Sequence, residues 1–269
     1  MTRLCEKDIC QISLELGKYN EELFRKTGCS LWDIAMRSVG GSKPISCSEV
    51  PPVAVVPITS GEGIIGGFAQ TVRDIIIFLG FRAYVTTESD VGGLAQAVTN
   101  GSEIIFAADD YQFKAINIKT AKVADNGRYT GRGYAAALEA MVGGIHGKET
   151  LVIGAGPVGF GAAEYLADKG AEVYIFDTDT FKSENLKQNL SVVKVVSDLG
   201  KALAKYKLII EATSSSAVIN EGYLTKDTFI SAPGIPLGLS EEGAEIIQDR
   251  LIHDALEIGV ASMLCGVLT

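Results

Sequence analysis

A chain of 269 residues that is 47% hydrophobic, with 30 glycines against 7 prolines, has the apolar content for a large core and excludes a disordered, linker-rich polypeptide. Its 24 basic and 33 acidic residues leave a net charge of −9, which argues against a nucleic-acid partner and favours a cationic substrate. Five cysteines without a CxxC pair and only two histidines argue against a disulfide framework and against structural or catalytic zinc, so no metal is expected.

Residues from about Lys7 to Arg25 place Ile9, Ile12, Leu16 and Tyr19 at helical spacing, after an N-terminus that is charged throughout and has no apolar signal core. A second helix is expected over Leu31 to Val39. VAVVPIT (53–59) then reads as a buried strand, IIGGFAQTVRDIIIFLG as a helix ending at Gly80, FRAYVTT as a strand, LAQAVTNG as a helix and SEIIFAAD (102–109) as a strand. A long helix starts near Thr130. The run IIIFLGF (75–81) is far too short to span a bilayer, so no membrane partner and a soluble, cytoplasmic protein are expected.

GGIHGKE resets the pattern. A strand ending LVI leads to a helix over Val158 to Lys169, then strand AEVYIFD, a helix near 182–189, strand SVVKVV, a helix over Leu199 to Lys205, and strands KLIIEAT and DTFISAPG. Alternating strand and helix imply parallel pairing with right-handed crossovers. The expected fold is α/β, with an N-terminal α/β substrate lobe (residues 1–146) followed by a Rossmann-type doubly wound dinucleotide-binding lobe (147–269). The apolar terminal helix IGVASMLCGVL has no partner inside a minimal dinucleotide lobe and is expected to pack back on the first lobe. With the N-terminal helix it could form a homodimer interface; the sequence leaves the oligomeric state open.

GxGxxG occurs twice, at Gly61-Glu62-Gly63-Ile64-Ile65-Gly66 and at Gly154-Ala155-Gly156-Pro157-Val158-Gly159. A dinucleotide loop needs its first glycine for a tight turn, its second for close approach of the pyrophosphate and its third for helix-to-strand contact, with an acidic residue ending the next strand. The second copy meets each demand, its next strand ending at Asp177. The first copy carries Glu62 inside the loop, where a carboxylate would repel pyrophosphate, so it is expected to form a backbone wall of the substrate site. Gly154, Gly156, Pro157, Val158, Gly159 and Asp177 are therefore the cofactor candidates, and Asp177 favours NAD by repelling the 2′-phosphate of NADP. Thr213 and Pro233, at the carboxyl ends of later strands, are candidates for the nicotinamide half; Thr213 could equally cap the segment that follows.

Hydride transfer needs a held carbon and a group that manages one proton. Asp109, where strand SEIIFA ends, is the catalytic candidate, with a turn role as the competing reading. His253, Asp254 and Glu257 precede the final helix and read as surface charge or site residues.

VPITSGEGIIGGFAQ, IIFAADD, GAGPVGFGAAE, IIEATSSS, SAPGIPLGLSEE and GVASML, in this order from about Leu4 to Leu268, resemble the pyrrolysine synthase family, the PylD dehydrogenases. The resemblance implies NAD-dependent oxidation of the terminal amine of 3-methyl-D-ornithyl-N6-L-lysine, a dipeptide-like small molecule. The imine is then attacked by the ornithine-derived α-amine and loses ammonia to give L-pyrrolysine. It implies that Asp109 contacts the reacting amino group, that Leu4, Ser60, Ile65 and Phe68 line the substrate pocket, and that Asp177 binds ribose. Asp254 stands where archaeal members are expected to carry glutamate, which puts its substrate contact in doubt. Two other readings remain: an amino-acid or imine dehydrogenase acting on a simpler amine, a class that commonly uses a catalytic lysine whereas Lys114, Lys119 and Lys122 lie outside the recognisable loop motifs, and a dinucleotide-binding regulator without chemistry.

Overall fold

A computed structural model describes residues 4–41 and 49–269, so Cys47 lies outside the described residues. The chain divides into two compact units, one made of the segment up to Glu22 with Ser30–Tyr129 and Ala255–Thr269, the other of Leu23–Cys29 and Thr130–Asp254.

The helices α1 (Glu6–Ile9) and α2 (Ile12–Thr27) replace the single expected helix, with Cys10 and Gln11 forming a turn between them; α2 belongs to the first unit up to Glu22 and to the second from Leu23. Helix α3 (Leu31–Ser38) starts on a reciprocal cap, in which Ser30 Oγ accepts from Asp33 N–H at 3.2 Å and Asp33 Oδ2 accepts from Ser30 N–H at 2.9 Å. There follow β1 (Val53–Pro57), α4 (Phe68–Phe78), β2 (Ala83–Val85), α5 (Asp90–Thr99), β3 (Ile104–Ala108), β4 (Phe113–Asn117) and β5 (Lys122–Asp125). The sheet order is β2-β1-β3-β4-β5. Strands β1, β2 and β3 are parallel, but β4 and β5 are antiparallel to their neighbours, so the expected all-parallel pairing is corrected to a mixed sheet. The hairpin turns on Asn117, whose Oδ1 accepts from Lys119 and Thr120 N–H at 3.1 Å, a side-chain turn that needs no glycine.

The second unit contains all but the first turn of α6 (Asn126–Met141), then β6 (Glu149–Ile153), α7 (Pro157–Asp168), β7 (Glu172–Phe176), α8 (Thr180–Asn189), β8 (Lys194–Val195), α9 (Leu199–Lys205), β9 (Leu208–Glu211), β10 (Phe229–Ser231), α10 (Glu241–Ile246) and β11 (Leu251–Ile252). Its six strands are all parallel, in the order β11-β10-β9-β6-β7-β8. This is the doubly wound order in which the first strand lies at the centre and the direction of winding reverses beside it. Leu151, Ile153, Ile209, Ile230 and Leu203 fill the core under that reversal, as expected for strands covered on both faces.

Helix α11 (Glu257–Leu268) is buried along almost its whole length and belongs to the first unit, not to residues 147–269 as the sequence pattern suggested. An all-apolar helix must be covered on every side, and α3, α4, β4 and β5 cover it. Asn117 Nδ2 donates to Val267 O at 3.0 Å, and a Cβ on Gly266 would lie 2.1 Å from the Tyr129 ring. The first unit therefore ends at Tyr129 and takes the C-terminus back, whereas the expected boundary was residue 146.

Candidate active site

Between β6 and α7 the chain turns on Gly154, whose φ of 99° suits glycine and where a Cβ would lie 2.6 Å from Ala212 O. A Cβ on Gly159 would lie 1.8 Å from Gly154 O, so the helix and the turn touch through a position that holds no side chain. Gly156 differs: a Cβ there meets nothing within 4 Å, so its side of the loop is open. Gly156 is the N-cap of α7 and offers no side-chain cap, and Pro157 at the first helical position has no N–H to satisfy. The first-turn amides of Val158 and Gly159 thus lack intrahelical acceptors at the positive end of a helix, an arrangement suited to a phosphate.

Asp177 follows β7. Its Oδ2 accepts from Ala155 N–H at 2.7 Å and its Oδ1 from Asp179 N–H at 2.8 Å. The carboxylate fastens the glycine loop to the next strand, and each oxygen keeps a further lone pair for a hydroxyl donor.

At the end of β9, Thr213 donates its N–H at 2.8 Å and its hydroxyl at 2.6 Å to Glu211 Oε1. Glu211 is fully buried, and its other oxygen accepts from Gly238 N–H at 3.2 Å. Burial holds this carboxyl above the usual glutamate range, against the lowering effect of the Thr213 and Gly238 donors. Pro233 is half-buried in the neighbouring loop, whose Gly234 N–H donates to Glu211 O at 3.0 Å. Sequence reasoning missed Glu211; the one trace of it was a charge set between Ile210 and Ala212, where an apolar strand ends.

In the first unit Asp109 ends β3 at a tight turn. Its Oδ1 accepts from Tyr111 and Gln112 N–H, both at 2.7 Å, while its Oδ2 has no partner among the described residues. The turn reading and the site reading therefore fall on different oxygens of one carboxylate. Asp110, not Asp109, meets the first glycine loop: its Oδ2 accepts from Glu62 N–H at 2.6 Å and would lie 1.9 Å from a Cβ on Gly61. On the other flank Asp90 accepts from Thr59 N–H at 2.8 Å and from its hydroxyl at 2.6 Å, which holds the Asp90 carboxyl below the usual range. Ser60 is exposed in this loop and Ile65 half-buried. Phe68 opens α4 and meets Phe113 edge-on at 5.3 Å. Leu4 is half-buried just before α1, whose Glu6 would lie 1.9 Å from a Cβ on Gly66. The candidate lysines Lys114 and Lys119 are ion-paired to Asp125 and Glu103.

Asp254 is buried at the end of the second unit, and Tyr134 fixes its backbone by donating to Asp254 O and accepting from Asp254 N–H, both at 2.8 Å. His253 Nδ1 lies 2.7 Å from Ala232 O, which places the proton on Nδ1 because a carbonyl only accepts. Glu257 is buried at the start of α11, where it accepts from Leu256 N–H at 3.0 Å.

Residues 8–124 match the family described as "Pyrrolysine biosynthesis protein PylD, N-terminal domain", and residues 136–229 match "Shikimate / quinate 5-dehydrogenase". Over its whole length the chain is 37% identical to the pyrrolysine synthase of Methanosarcina barkeri, 98% of which is covered. It is 36% identical to that of Methanosarcina acetivorans, with both chains fully covered. Among solved structures, the quinate dehydrogenase of Corynebacterium glutamicum in complex with NAD shares the fold with a TM-score of 0.56 at 13% identity, over 82% of this chain and 95% of that one.

Proposed function

The chain belongs to the pyrrolysine synthase family, and on that footing we propose that it oxidises the terminal amine of 3-methyl-D-ornithyl-N6-L-lysine with NAD as acceptor. It is an enzyme of dehydrogenase type. When bound, NAD supplies the hydride acceptor. The residues that would hold it are Gly154, Gly156, Pro157, Val158 and Gly159 along the pyrophosphate, Asp177 on the adenosine ribose, and Thr213 and Pro233 toward the nicotinamide. The open side of Gly156 and the spare lone pairs of Asp177 support this assignment. A carboxylate at 177 would repel a 2′-phosphate, which supports NAD over NADP.

The observation that carries the substrate reading is Asp109. Two turn amides fix one oxygen of its carboxylate and leave the other without a partner among the described residues. Such an oxygen can hold an ammonium and take its proton, after which the neutral amine has the lone pair needed to form an imine. The α-amine of the same substrate then adds to the imine carbon and closes the five-membered ring as an aminal, and loss of ammonia leaves the C=N bond of the pyrroline. Ser60, Ile65, Phe68 and Leu4 would shape the pocket around the chain.

Purified protein mixed with NAD and 3-methyl-D-ornithyl-N6-L-lysine should form NADH in step with a cyclised product seen by mass. Asp109→Asn should retain NAD binding and lose at least a hundredfold in turnover, about the low end for removing a general base. Near-normal turnover in that variant refutes the role of Asp109, and equal turnover of free ornithine refutes the substrate.

A further inference from the structure

The charge least explained by cofactor or substrate contact is Glu211. A carboxylate removed from water is costly unless it is paired and bonded, yet no lysine, arginine or histidine pairs with Glu211 among the described residues. What it has are three neutral donors from two loops: the amide and hydroxyl of Thr213 after β9, and the amide of Gly238 after β10. Both loops are also shaped around it. A Cβ on Gly234 would lie 2.5 Å from its Oε2, and one on Gly238 would lie 2.3 Å from its Cδ. An apolar residue at 211 would fill the same core but hold neither loop.

We propose that Glu211 is a positioning residue, which ties the loop after β9 to the loop after β10 so that they form one fixed wall for the nicotinamide half of the dinucleotide. The inference rests on reading the second unit as a dinucleotide-binding unit. It also assigns a sense to Thr213. A hydroxyl has a single proton, and at 2.6 Å that proton is committed to Glu211. Thr213 Oγ1 already accepts from Ser215 N–H at 3.3 Å, so it presents its one remaining lone pair, which suits a donor such as a ribose hydroxyl or a carboxamide NH2 and not a phosphate or carbonyl oxygen.

The test compares NAD with ADP-ribose, which lacks the nicotinamide, by calorimetry on the full-length enzyme. Glu211→Gln keeps the volume but turns an NH2 toward at least one of the three donors. We expect the Kd for NAD to rise roughly tenfold or more, as for the loss of one hydrogen bond to a charged group, while that for ADP-ribose stays within about twofold of wild type, and kcat falls. Equal losses for both ligands, or no loss for either, overturn the proposal, because a residue that only supports the fold does not separate them. If Glu211→Gln does not fold, Glu211→Asp carries the same comparison, since its shorter arm keeps the charge but cannot span both loops. Failure of the wild-type protein to bind ADP-ribose and NAD at all overturns the dinucleotide reading itself, and that is seen before any variant is made.

Discussion

The two GxGxxG loops share a pattern and a place, each following the first strand of a sheet and leading into a helix, but they exclude side chains for opposite reasons. At Gly154 and Gly159 the obstacle is backbone: Ala212 O at 2.6 Å and Gly154 O at 1.8 Å from the Cβ that is missing. At Gly61 and Gly66 it is carboxylate: Asp110 Oδ2 and Glu6 Oε1, each at 1.9 Å. The first arrangement uses its glycines to bring strand, turn and helix together and leaves the side of Gly156 open. The second surrounds its loop with Asp90, Asp110, Glu6 and its own Glu62. A phosphate is stabilised by the one and repelled by the other. The motif fixes a backbone shape; the charges around it decide what that shape can bind.

The largest expected effect separates the two obstacles directly. In Gly159→Ala the added methyl meets a carbonyl that cannot swing aside, so the turn must open. We expect a loss of about 3 kcal/mol or more, above the middle of the range for overpacking, with Tm lowered by roughly 6 °C or more and NAD binding abolished. In Gly61→Ala the clash falls on the end of a side chain that can rotate, so the cost is that of a left-handed alanine, about 1–2 kcal/mol, plus the Asp110 bond to Glu62 N–H, and NAD affinity stays at the wild-type level. Thermal unfolding and NAD titration of both variants check this. Equal loss of NAD affinity in the two would erase the distinction.

Asp177 gives the next effect. Asp177→Ala removes both the ribose acceptor and the bond to Ala155 N–H, and should raise the Kd for NAD ten- to a hundredfold, taking about 1.5–3 kcal/mol for a hydrogen bond to a charged group. Asp177→Asn can keep the bond to Ala155 through its amide oxygen while losing the charge, so it should relax discrimination against NADP more than it weakens NAD. An unchanged NAD affinity in Asp177→Ala would leave the second loop no better marked than the first.

Much of this contrast was legible in the residues. Glu62 inside the first loop and Asp177 after the second strand of the other series already separated the copies, because charge and spacing act locally. The flanking carboxylates were not, since Asp90 and Asp110 lie 29 and 49 residues along the chain from Gly61 and reach it only through the fold. The hairpin of β4 and β5 escaped for a related reason: Asn117 makes its turn and Ala121 takes the positive φ of 56°, so neither glycine nor proline marks the corner. Helix α11 was readable as buried, and as returning to the first lobe, because an almost wholly apolar helix finds no partner inside a minimal dinucleotide lobe. Glu211 carries no spacing rule at all; its meaning depends on Gly234 and Gly238 coming back over it.

The smallest effect concerns the other flank of the first loop. Asp90 takes two hydrogen bonds from Thr59, and the hydroxyl and then the amide hold its carboxyl below the usual aspartate value. A folded pKa below the unfolded one means that the tie is fully present above the unfolded value and is lost as pH falls through the lowered one. The Thr59 amide resonance should therefore titrate at a midpoint below that of an unstructured aspartate, and Asp90→Asn should abolish the inflection while changing Tm least of all the variants. A midpoint at or above the ordinary value would mean that Thr59 does not clamp this carboxylate. The carboxylates of Asp90, Asp110, Glu6 and Glu62 that disfavour a phosphate at this loop favour a cationic group there instead.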